Sequence, residues 1–319
     1  MTTSRARTIP MISPLRVAIY AALTLFSLLF LLPFVYQLGT SLKTPAEIAT
    51  GTFTLFPAEP QWGNYAEVFR RAPIATWFFN SAFIAIIGTL AATLTSAFCA
   101  YGFAVLHARG SRLAFGMVLL TILVPYQVLI IPEYIVWAKL GLINTPLPIL
   151  LPWFLGGGAF NIFLLRQFML GLPRDMVDAA RVDGANELHI FVRIILPMCA
   201  PALAIVAVFH FIYMWNDFLR PLLYLPDPSA MTLPVGLSGF VNKFARQWHL
   251  LLAGSVIALV PLLVIFALAQ RVIARGISIA GVRRRPLRPV SRATSGDSDT
   301  PGGYSERRLH GGAARVSGR

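Results

Sequence analysis

Residues 17–36 read VAIYAALTLFSLLFLLPFVY, twenty consecutive residues without a charge. An α-helix rises about 1.5 Å per residue, so about 20 apolar residues cross a hydrocarbon core about 30 Å thick. Arg5, Arg7 and Arg16 precede the run, as in a signal peptide, but no small-residue cleavage site follows Tyr36. The run therefore predicts a membrane-spanning helix that is retained.

Composition extends this pattern to the whole chain. Hydrophobic residues make up 56% of the 319 residues and charged residues only 13%, whereas a soluble domain carries about 25% charged residues. Six stretches reach membrane length, so we expect an all-α integral membrane protein with six transmembrane helices. The predicted spans are Val17–Tyr36, Thr76–Leu106, Leu113–Val136, Leu147–Phe168, Met198–Leu219 and Leu250–Ala274.

Lysine and arginine are distributed unequally between the two sides of these spans. The termini and the second and fourth connections hold 20 of them, and the other connections hold seven. Because Lys- and Arg-rich connections stay on the cytoplasmic side, we expect a multi-pass protein of the cell (plasma or inner) membrane with both termini cytoplasmic. The net charge of +14 would suggest nucleic acid in a soluble protein, but here basic residues flank apolar runs, so no nucleic-acid partner is expected.

The spans divide the chain into three parts. Residues 1–16 form a cytoplasmic N-terminus, residues 17–280 the transmembrane domain, and residues 281–319 an Arg-rich cytoplasmic tail whose composition predicts disorder. The loop 39–75 is rich in Pro, Gly, Thr and aromatic residues, which favours an ordered extracytoplasmic cap over a flexible linker. Cys99 and Cys199 lack metal-ligand spacing, so we interpret them as packing residues.

The fourth connection, 169–197, has the composition of two short helices. Pro173 suits the start of the first helix, and Asp175 lies in its first turn, where the helix dipole favours negative charge. Gly184 can end that helix in a left-handed conformation, and Asn186 can cap the next helix. Apolar residues then follow at helical spacing up to Pro197: Leu188, Phe191, Val192, Ile194 and Ile195.

Asp178, Ala179 and Ala180 lie in the middle of the first of these helices. Two small side chains let another protein approach the helix backbone closely, and the carboxylate adds a polar contact, so the pattern suits a docking surface. A plain connector built of ordinary helix formers explains the same composition equally well. The residues by themselves leave both interpretations open.

A longer pattern in this region resembles the EAA motif of binding-protein-dependent ABC import permeases. It reads Asp178-Ala-Ala-Arg-Val-Asp183-Gly184-Ala185, followed by Phe191, Ile194, Leu196-Pro197 and Pro201. The chain departs from the family at Asp178, where Glu is usual, which shortens the reach of the carboxylate by one methylene. It also departs after the last span, where Arg283-Arg284-Arg285 and an Arg-rich tail replace a short Lys-Gly ending.

Other motifs resemble the carbohydrate-uptake branch of that family, and the likeness covers almost everything from Val17 to Ala280. It is greatest to the second, six-helix permease of a pair, similar to that of the maltose system. The motifs are Thr40-Ser41-Leu42-Lys43, Asn64-Tyr65, Phe163-Leu-Leu-Arg166-Gln-Phe, Trp215-Asn216-Asp217-Phe218 and Pro221-Leu222.

The resemblance implies a type I ABC importer permease (MetI-like) fold with a cytoplasmic coupling helix. The implied partners are a second permease subunit, an ABC ATPase dimer, an extracytoplasmic solute-binding protein and the lipid bilayer. Because the sequence has no G-x-x-x-x-G-K-[ST] phosphate loop, we expect no enzyme activity and no cofactor in this chain, with ATP and Mg bound by the partner ATPase. The implied ATPase-coupling residues are Asp178, Ala179, Ala180, Asp183, Gly184 and Ala185.

The fourth and fifth spans supply candidates for the substrate pathway. Gly156-Gly157-Gly158 should weaken the fourth span, and interrupted helices occur at membrane depth where they line a cavity, although helix packing explains a glycine run as well. Asn161 with Trp153 or Phe160 offers the amide and the aromatic face that a sugar needs. Together with two residues of the Trp215–Phe218 motif, the candidates are Trp153, Asn161, Asn216 and Asp217.

His210 and Asp217 are ionisable residues of the fifth span. Seven residues separate them, which is about two helical turns and too far for a direct pair. Intramembrane ionisable groups point to function, and structural satisfaction of buried polar atoms is the alternative for both.

Other classes of function fit less well. A secondary transporter usually shows internal repeats and coupling-ion residues, and the sequence offers neither. A membrane-embedded enzyme needs a clustered catalytic constellation, and the five histidines are scattered. Within the ABC class, import of a non-sugar solute stays open as the alternative to sugar import.

Overall fold

The structure is a computed structural model of the chain, and it describes residues 14–106, 109–242 and 247–282. The described residues form helices and connecting loops without a β-strand, as predicted. A 3-10 turn, Thr121–Leu123, follows the fifth helix, and a π-helical turn, Phe191–Ile195, follows the tenth. In chain order the helices are α1 Pro14–Ser41, α2 Pro45–Ala49, α3 Gly63–Arg71, α4 Ile74–Ala104, α5 Ser111–Leu120, α6 Tyr126–Lys139, α7 Leu147–Phe154, α8 Ala159–Leu170, α9 Arg174–Val182, α10 Glu187–Ile190, α11 Leu196–Met198, α12 Ala200–Trp215, α13 Leu219–Tyr224, α14 Leu233–Asn242 and α15 Trp248–Val282.

Within the described residues, four helices are long and apolar enough to cross a bilayer, and two bent pairs also meet the length and composition of a span. One pair is bent by 96° and the other by 78°. Counting each bent pair as one span gives six, the predicted number. The four helices are Pro14–Ser41, Ile74–Ala104, Leu147–Leu170 and Trp248–Gln270, and the pairs are Ser111–Leu123 with Tyr126–Lys139 and Glu187–Met198 with Ala200–Trp215.

The predicted third span, Leu113–Val136, is not one straight helix. Val124 is extended, with ψ at 113°, and α6 begins only after Pro125. A residue that precedes proline is disfavoured in the helical region, and proline lacks the N–H that would continue the helix. The fifth span also differs from its prediction, because α12 begins at Ala200 and ends at Trp215 rather than at Leu219. The other half of this bent pair, Glu187–Met198, lies almost entirely in the predicted connection 169–197 rather than in the predicted span.

Helix α4 is the central helix and packs against α12, α8 and α7. Its buried side chains are mostly small, so neighbouring helices approach its backbone closely. At Gly88 an added Cβ would lie 2.5 Å from the Cε atom of Met214 on α12, which shows how close that approach is. The small buried residues of α4 are Ser81, Ala85, Gly88, Thr89, Ala91, Ala92, Thr93, Ser96, Ala97, Ala100 and Ala104.

The two ends of α4 belong to two different apolar cores. Near its start, Trp77 packs in a core that also contains Trp215 and Phe240. Near its end, Tyr101 packs in a second core with Ile190 and Phe191. The second core joins the connection 169–197 to the central helix.

The loop 39–75 is ordered, as its composition predicts. Lys43 is buried, and its Nζ donates to the carbonyl of Thr54 at 2.7 Å. Asn64 Nδ2 donates to the carbonyls of Ser41 and Lys43 at 2.9 and 3.0 Å, and the hydroxyls of Ser41 and Tyr65 lie 2.8 Å apart. The Thr40–Lys43 and Asn64-Tyr65 motifs therefore form the framework of this loop.

Helix α1 lies apart from both cores. Its apolar span is not buried against the rest of the described chain. An apolar surface of this length suits lipid or a neighbouring subunit rather than water. Residues 1–13 and 283–319, which include most of the predicted N-terminus and Arg-rich tail, lie outside the described residues.

Candidate functional site

The connection 169–197 folds as the sequence predicts. Helix α9 starts after Pro173 and carries Asp175 in its first turn. Helix α10 starts after Asn186, whose Oδ1 accepts a hydrogen bond from the backbone N–H of His189 at 2.8 Å. We call α9, α10 and the turn between them, residues 174–190, the coupling hairpin, after the role that the sequence resemblance implies.

Gly184 forms the turn of the coupling hairpin. Its φ is +82°, the left-handed region that favours glycine. The N–H of Gly184 donates to the carbonyl of Arg181 at 3.0 Å, and the N–H of Ala185 donates to the carbonyl of Ala180 at 2.9 Å. This pair of bonds is a Schellman motif, which closes a helix with its last carbonyls satisfied. Asp183 is the C-cap residue, so the second half of the EAA-like motif determines the turn.

The coupling hairpin is attached to α4 through apolar contacts. Val177, Ile190 and Phe191 are buried in the second core, and Ala180 and Ala185 pack against it. The Phe191 ring lies 5.2 Å from the Tyr101 ring, measured between centroids. From Phe191 the helix continues through the π-helical turn to Met198, one residue beyond the predicted end at Pro197, and then bends into α12.

A polar network adds to this attachment. Glu187 accepts hydrogen bonds from Arg181 Nε at 2.9 Å and from the hydroxyl of Tyr101. The Arg181 guanidinium, and then the Tyr101 hydroxyl, lower the pKa of the Glu187 carboxyl below its usual range. Asp178 lies beside the network, with Oδ1 3.4 Å from Arg181 Nη1 and with most of its side chain exposed.

The opposite face of the coupling hairpin carries exposed apolar side chains. Val182 is 88% exposed and Leu188 is 65% exposed, and Ala179 is exposed as well. The predicted apolar stripe is therefore divided, because Phe191 and Ile195 are buried whereas Leu188 and Val192 face outward. Apolar residues of this size on an exposed turn suit contact with another protein. We call Met176, Ala179, Val182 and Leu188, together with Val192 in the π-helical turn that follows the hairpin, the outer face.

The predicted break in the fourth span is present between α7 and α8. Gly157 and Gly158 have φ of +68° and +95°, and a Cβ on Gly157 would collide with Ser96 and Ala92 of α4. Asn161 Nδ2 donates to the carbonyl of Gly157 at 2.9 Å, so the side chain supports the break. The break is both a helix interruption and a close packing contact.

Around this break the structure assembles three of the four candidate pathway residues. Trp153 and His210 pack edge to face with ring centroids 4.3 Å apart, and Asn161 Nδ2 lies 3.4 Å from His210 Nδ1. Asp217 joins through Arg220, which also lies near the Trp153 ring. His210 and Asp217 form no direct pair in the described part of the chain, as their spacing predicts.

In the described part of the chain, no side-chain hydrogen bond connects the fourth candidate, Asn216, to this group. Its Nδ2 donates to the carbonyl of Ile212 in the preceding turn at 2.8 Å, and the residue is exposed. Phe160, the alternative aromatic partner for Asn161, is also exposed. Sequence reasoning missed Arg220, although its position three residues after Asp217 was a signal for an ion pair.

No group of three His, Cys, Asp or Glu side chains among the described residues is placed to hold a metal ion. Cys99 and Cys199 are free and lie half-buried and buried, which agrees with packing roles. The arrangement is suited to binding and to mechanical attachment.

Comparison with known proteins identifies the family. The model of the family described as "binding-protein-dependent transport system inner membrane component" matches residues 92–279. The chain is 33% identical over 277 residues to the arabinooligosaccharides transport system permease protein AraQ of Bacillus subtilis (strain 168), covering 86% of this chain and 98% of the relative. It is 36% identical over 276 residues to the osmoprotective compounds uptake permease protein GgtD of Synechocystis sp., and the alignment covers 84% of this chain and 92% of that relative.

A solved structure agrees in fold. The chain superposes, with a TM-score of 0.71 and 23% identity, on a chain of a bacterial ABC transporter involved in the import of the acidic polysaccharide alginate, covering 82% of this chain and 99% of that chain. This likeness supports the predicted fold of an ABC importer permease. The chain belongs to the family of inner membrane components of binding-protein-dependent transport systems.

Proposed function

We propose that this chain is the second permease of an ATP-driven importer and carries a sugar or a sugar derivative across the membrane. Its partners in this proposal are another permease, an ABC ATPase dimer that binds ATP and Mg, an extracytoplasmic solute-binding protein and the surrounding lipid. This chain hydrolyses no ATP itself. The relative named for arabino-oligosaccharides, which aligns over nearly its whole length, supports the sugar assignment.

The proposed topology follows the distribution of basic residues. Both termini and the connection 169–197 lie on the cytoplasmic side, and the loop 39–75 lies outside. The coupling hairpin and the loop 39–75 belong to the cores at opposite ends of α4. The ATPase and the solute-binding protein then dock at opposite ends of the same helix.

The outer face of the coupling hairpin is the observation that carries the ATPase assignment. Its apolar side chains are exposed and belong to neither apolar core of the described residues, whereas the turn behind them is closed by the Schellman motif at Gly184. Ala179 leaves room for a close approach, and the Asp178 carboxylate adds a charged contact at the edge. A pre-organised apolar surface of this kind binds a cleft with little loss of conformational entropy.

Attachment to α4 gives this docking a mechanical consequence. The Tyr101–Glu187–Arg181 network and the buried Ile190 and Phe191 hold the coupling hairpin to α4. The π-helical turn and α11 connect the hairpin to α12. A shift of the ATPase cleft therefore moves two central helices. ATP can shift the importer toward the outward-facing state only if it binds more tightly to the ATPase conformation that is coupled to that state.

The test uses Val182→Asp in the assembled importer. Because Val182 is 88% exposed, the change leaves this chain folded while placing a charge in the proposed contact. We expect loss of co-purification with the ATPase and loss of substrate-stimulated ATP hydrolysis in proteoliposomes. Phe56→Asp is the control, because Phe56 is an apolar residue in the loop 39–75 that is also well exposed, at 63%, and the change should leave ATPase co-purification unchanged.

Retained co-purification and retained stimulation in Val182→Asp would show that the outer face does not bind the ATPase. The substrate class is tested separately by measuring uptake of labelled arabinotriose, lactose and glycine betaine. We expect uptake of a saccharide. Uptake of glycine betaine alone would favour import of a non-sugar solute, the second candidate, which the osmoprotectant-uptake relative supports.

A further inference from the structure

The strongest unexplained feature is a buried charged pair inside an aromatic box. Arg220 and Asp217 are 13% and 11% exposed at their side chains. The Arg220 guanidinium carbon lies 4.4 Å from the ring centre of Tyr126, 5.3 Å from that of Trp153 and 5.5 Å from that of Tyr213. We call these five residues together with His210 the Arg220 cluster.

The Arg220 cluster contains several polar atoms without a hydrogen bond. Arg220 Nη1 and Asp217 Oδ2 are 3.8 Å apart, too far for a hydrogen bond, and neither atom has another partner among the described residues. Trp153 Nε1 and His210 Nε2 are also buried and unpaired. Buried polar atoms are normally paired, because an unpaired one loses its water without compensation.

The unpaired atoms define the chemistry of a ligand. Arg220 Nη1 and Trp153 Nε1 donate, and Asp217 Oδ2 accepts. If His210 Nδ1 accepts from Asn161, the proton lies on His210 Nε2, which then donates as well. A hydroxyl group both accepts and donates, so one hydroxyl can bind Arg220 Nη1 and Asp217 Oδ2 together. Neighbouring hydroxyls of one sugar ring match such a set of atoms beside aromatic faces.

The balance of charge narrows the substrate class. The Arg220 cluster contains one cation and one anion, so an added carboxylate or phosphate would face the Asp217 carboxylate as well as the guanidinium. A neutral saccharide meets both groups through hydroxyls without this repulsion. The pair therefore favours neutral over acidic sugars.

The Arg220 cluster is bordered by an exposed face of α12. Tyr213 is 47% exposed, and it shares a helix face with the exposed Phe209 and Asn216, four residues before it and three after it. A phenol and an amide on the face of a span suit a polar cavity or a protein surface better than hydrocarbon. The interrupted helix at Gly157 and Gly158 borders the same cluster, as in transporters whose broken helices line a substrate site.

We propose that the Arg220 cluster is a contact site for a neutral saccharide, with one sugar hydroxyl bridging Arg220 Nη1 and Asp217 Oδ2 and others binding Trp153 Nε1 and His210 Nε2. This site rests on the proposed sugar-import function and specifies its substrate class. It places direct substrate contacts in this subunit.

The test is equilibrium dialysis of labelled arabinotriose and lactose with the purified importer complex, in parallel with uptake into proteoliposomes. Trp153→Phe keeps the ring and removes the unpaired donor, and we expect it to weaken binding about ten-fold, the scale of a lost hydrogen bond to a polar ligand group. Trp137→Phe is the matched control, because Trp137 Nε1 is also buried and unpaired but lies outside the Arg220 cluster. It should bind both sugars like wild type.

Asp217→Asn tests the charge argument through selectivity, which general destabilisation would not change. With Asp217 neutralised, Arg220 is left as an uncompensated cation, so lactobionate should compete with lactose about ten-fold better than in the wild-type complex. Unchanged binding in Trp153→Phe together with unchanged selectivity in Asp217→Asn would overturn the proposed saccharide site. A wild-type complex that transports arabinotriose or lactose without binding it would also overturn the site, but it would still support the proposed sugar-import function. An assembled complex that transports no saccharide would refute the sugar-import function itself.

Discussion

Replacing Gly157 by alanine is expected to destabilise the junction between α7 and α8. Gly157 has φ of +68°, a left-handed conformation that costs an L-residue about 1–2 kcal/mol. The added Cβ would also lie 2.1 Å from Ser96 Oγ and 2.6 Å from both Ser96 N and Ala92 O. Two of these three atoms belong to the backbone of α4 and cannot rotate away, so α4 and the junction must separate.

The two effects add in the same direction. Overpacking of a well-packed interior costs about 1–3 kcal/mol, which with the backbone strain gives a loss of about 2–5 kcal/mol. Gly156→Ala is the matched control, because Gly156 has no positive φ and no atom within 4 Å of an added Cβ. That change should stay within about 0.5 kcal/mol of wild type.

Thermal unfolding of the purified complex in detergent, followed by tryptophan fluorescence, measures the difference. Adding Ser96→Ala to Gly157→Ala should recover only part of the loss, because it removes the hydroxyl contact and leaves both backbone contacts. Equal unfolding temperatures for Gly156→Ala and Gly157→Ala would show that the left-handed backbone and the close contact at Gly157 do not limit stability. Full recovery by Ser96→Ala would show that the two backbone contacts cost nothing.

Two further predictions concern the coupling hairpin. Gly184→Ala should destabilise α9 locally by about 1 kcal/mol through backbone strain, since no atom lies within 4 Å of an added Cβ, and Gly184→Asn should cost less because asparagine tolerates the left-handed region. Hydrogen exchange of the α9 amides measures both, and equal protection in the three proteins would contradict the prediction. The pKa of Glu187 is lowered in the folded chain, so the ionised carboxylate stabilises the coupling hairpin. This stabilisation is complete at pH values above the ordinary glutamate pKa of about 4.3, and it is lost as the pH falls through the lower pKa of the folded chain. The stability advantage of wild type over Glu187→Gln, measured by thermal unfolding, should therefore be full at pH 7 and shrink toward pH 3, and an advantage that does not change with pH would contradict it.

Features that depend on neighbouring residues were predictable. The start at Pro173, the left-handed Gly184 and the cap at Asn186 all lie within one turn of the groups that they satisfy. The interruption at Gly156–Gly158 was predictable for the same reason, because glycine permits conformations that other residues avoid. Local chemistry decides such turns whatever the rest of the chain does.

The broken third span shows where a hydropathy pattern stops being sufficient. Apolar residues continue on both sides of Pro125, so the pattern has no interruption, although the helix bends by 96°. Hydropathy measures how well a residue suits hydrocarbon and says nothing about the direction of the backbone. Pro125 indicated a possible bend, but the long apolar run around it favoured the prediction of a continuous span.

The membrane spans, the helical backbone and the capped hairpin of the connection 169–197 are predictable from the residues alone, because they depend on length, composition and short-range hydrogen bonds. The outward orientation of Val182 and Leu188 is visible only in the folded chain, and so is the position of Arg220 among Tyr126, Trp153 and Tyr213. Arg220 and Tyr126 are 94 residues apart, and such contacts depend on how α6, α7, α12 and α13 pack together. Packing of distant helices is a property of the whole chain, and no local pattern contains it.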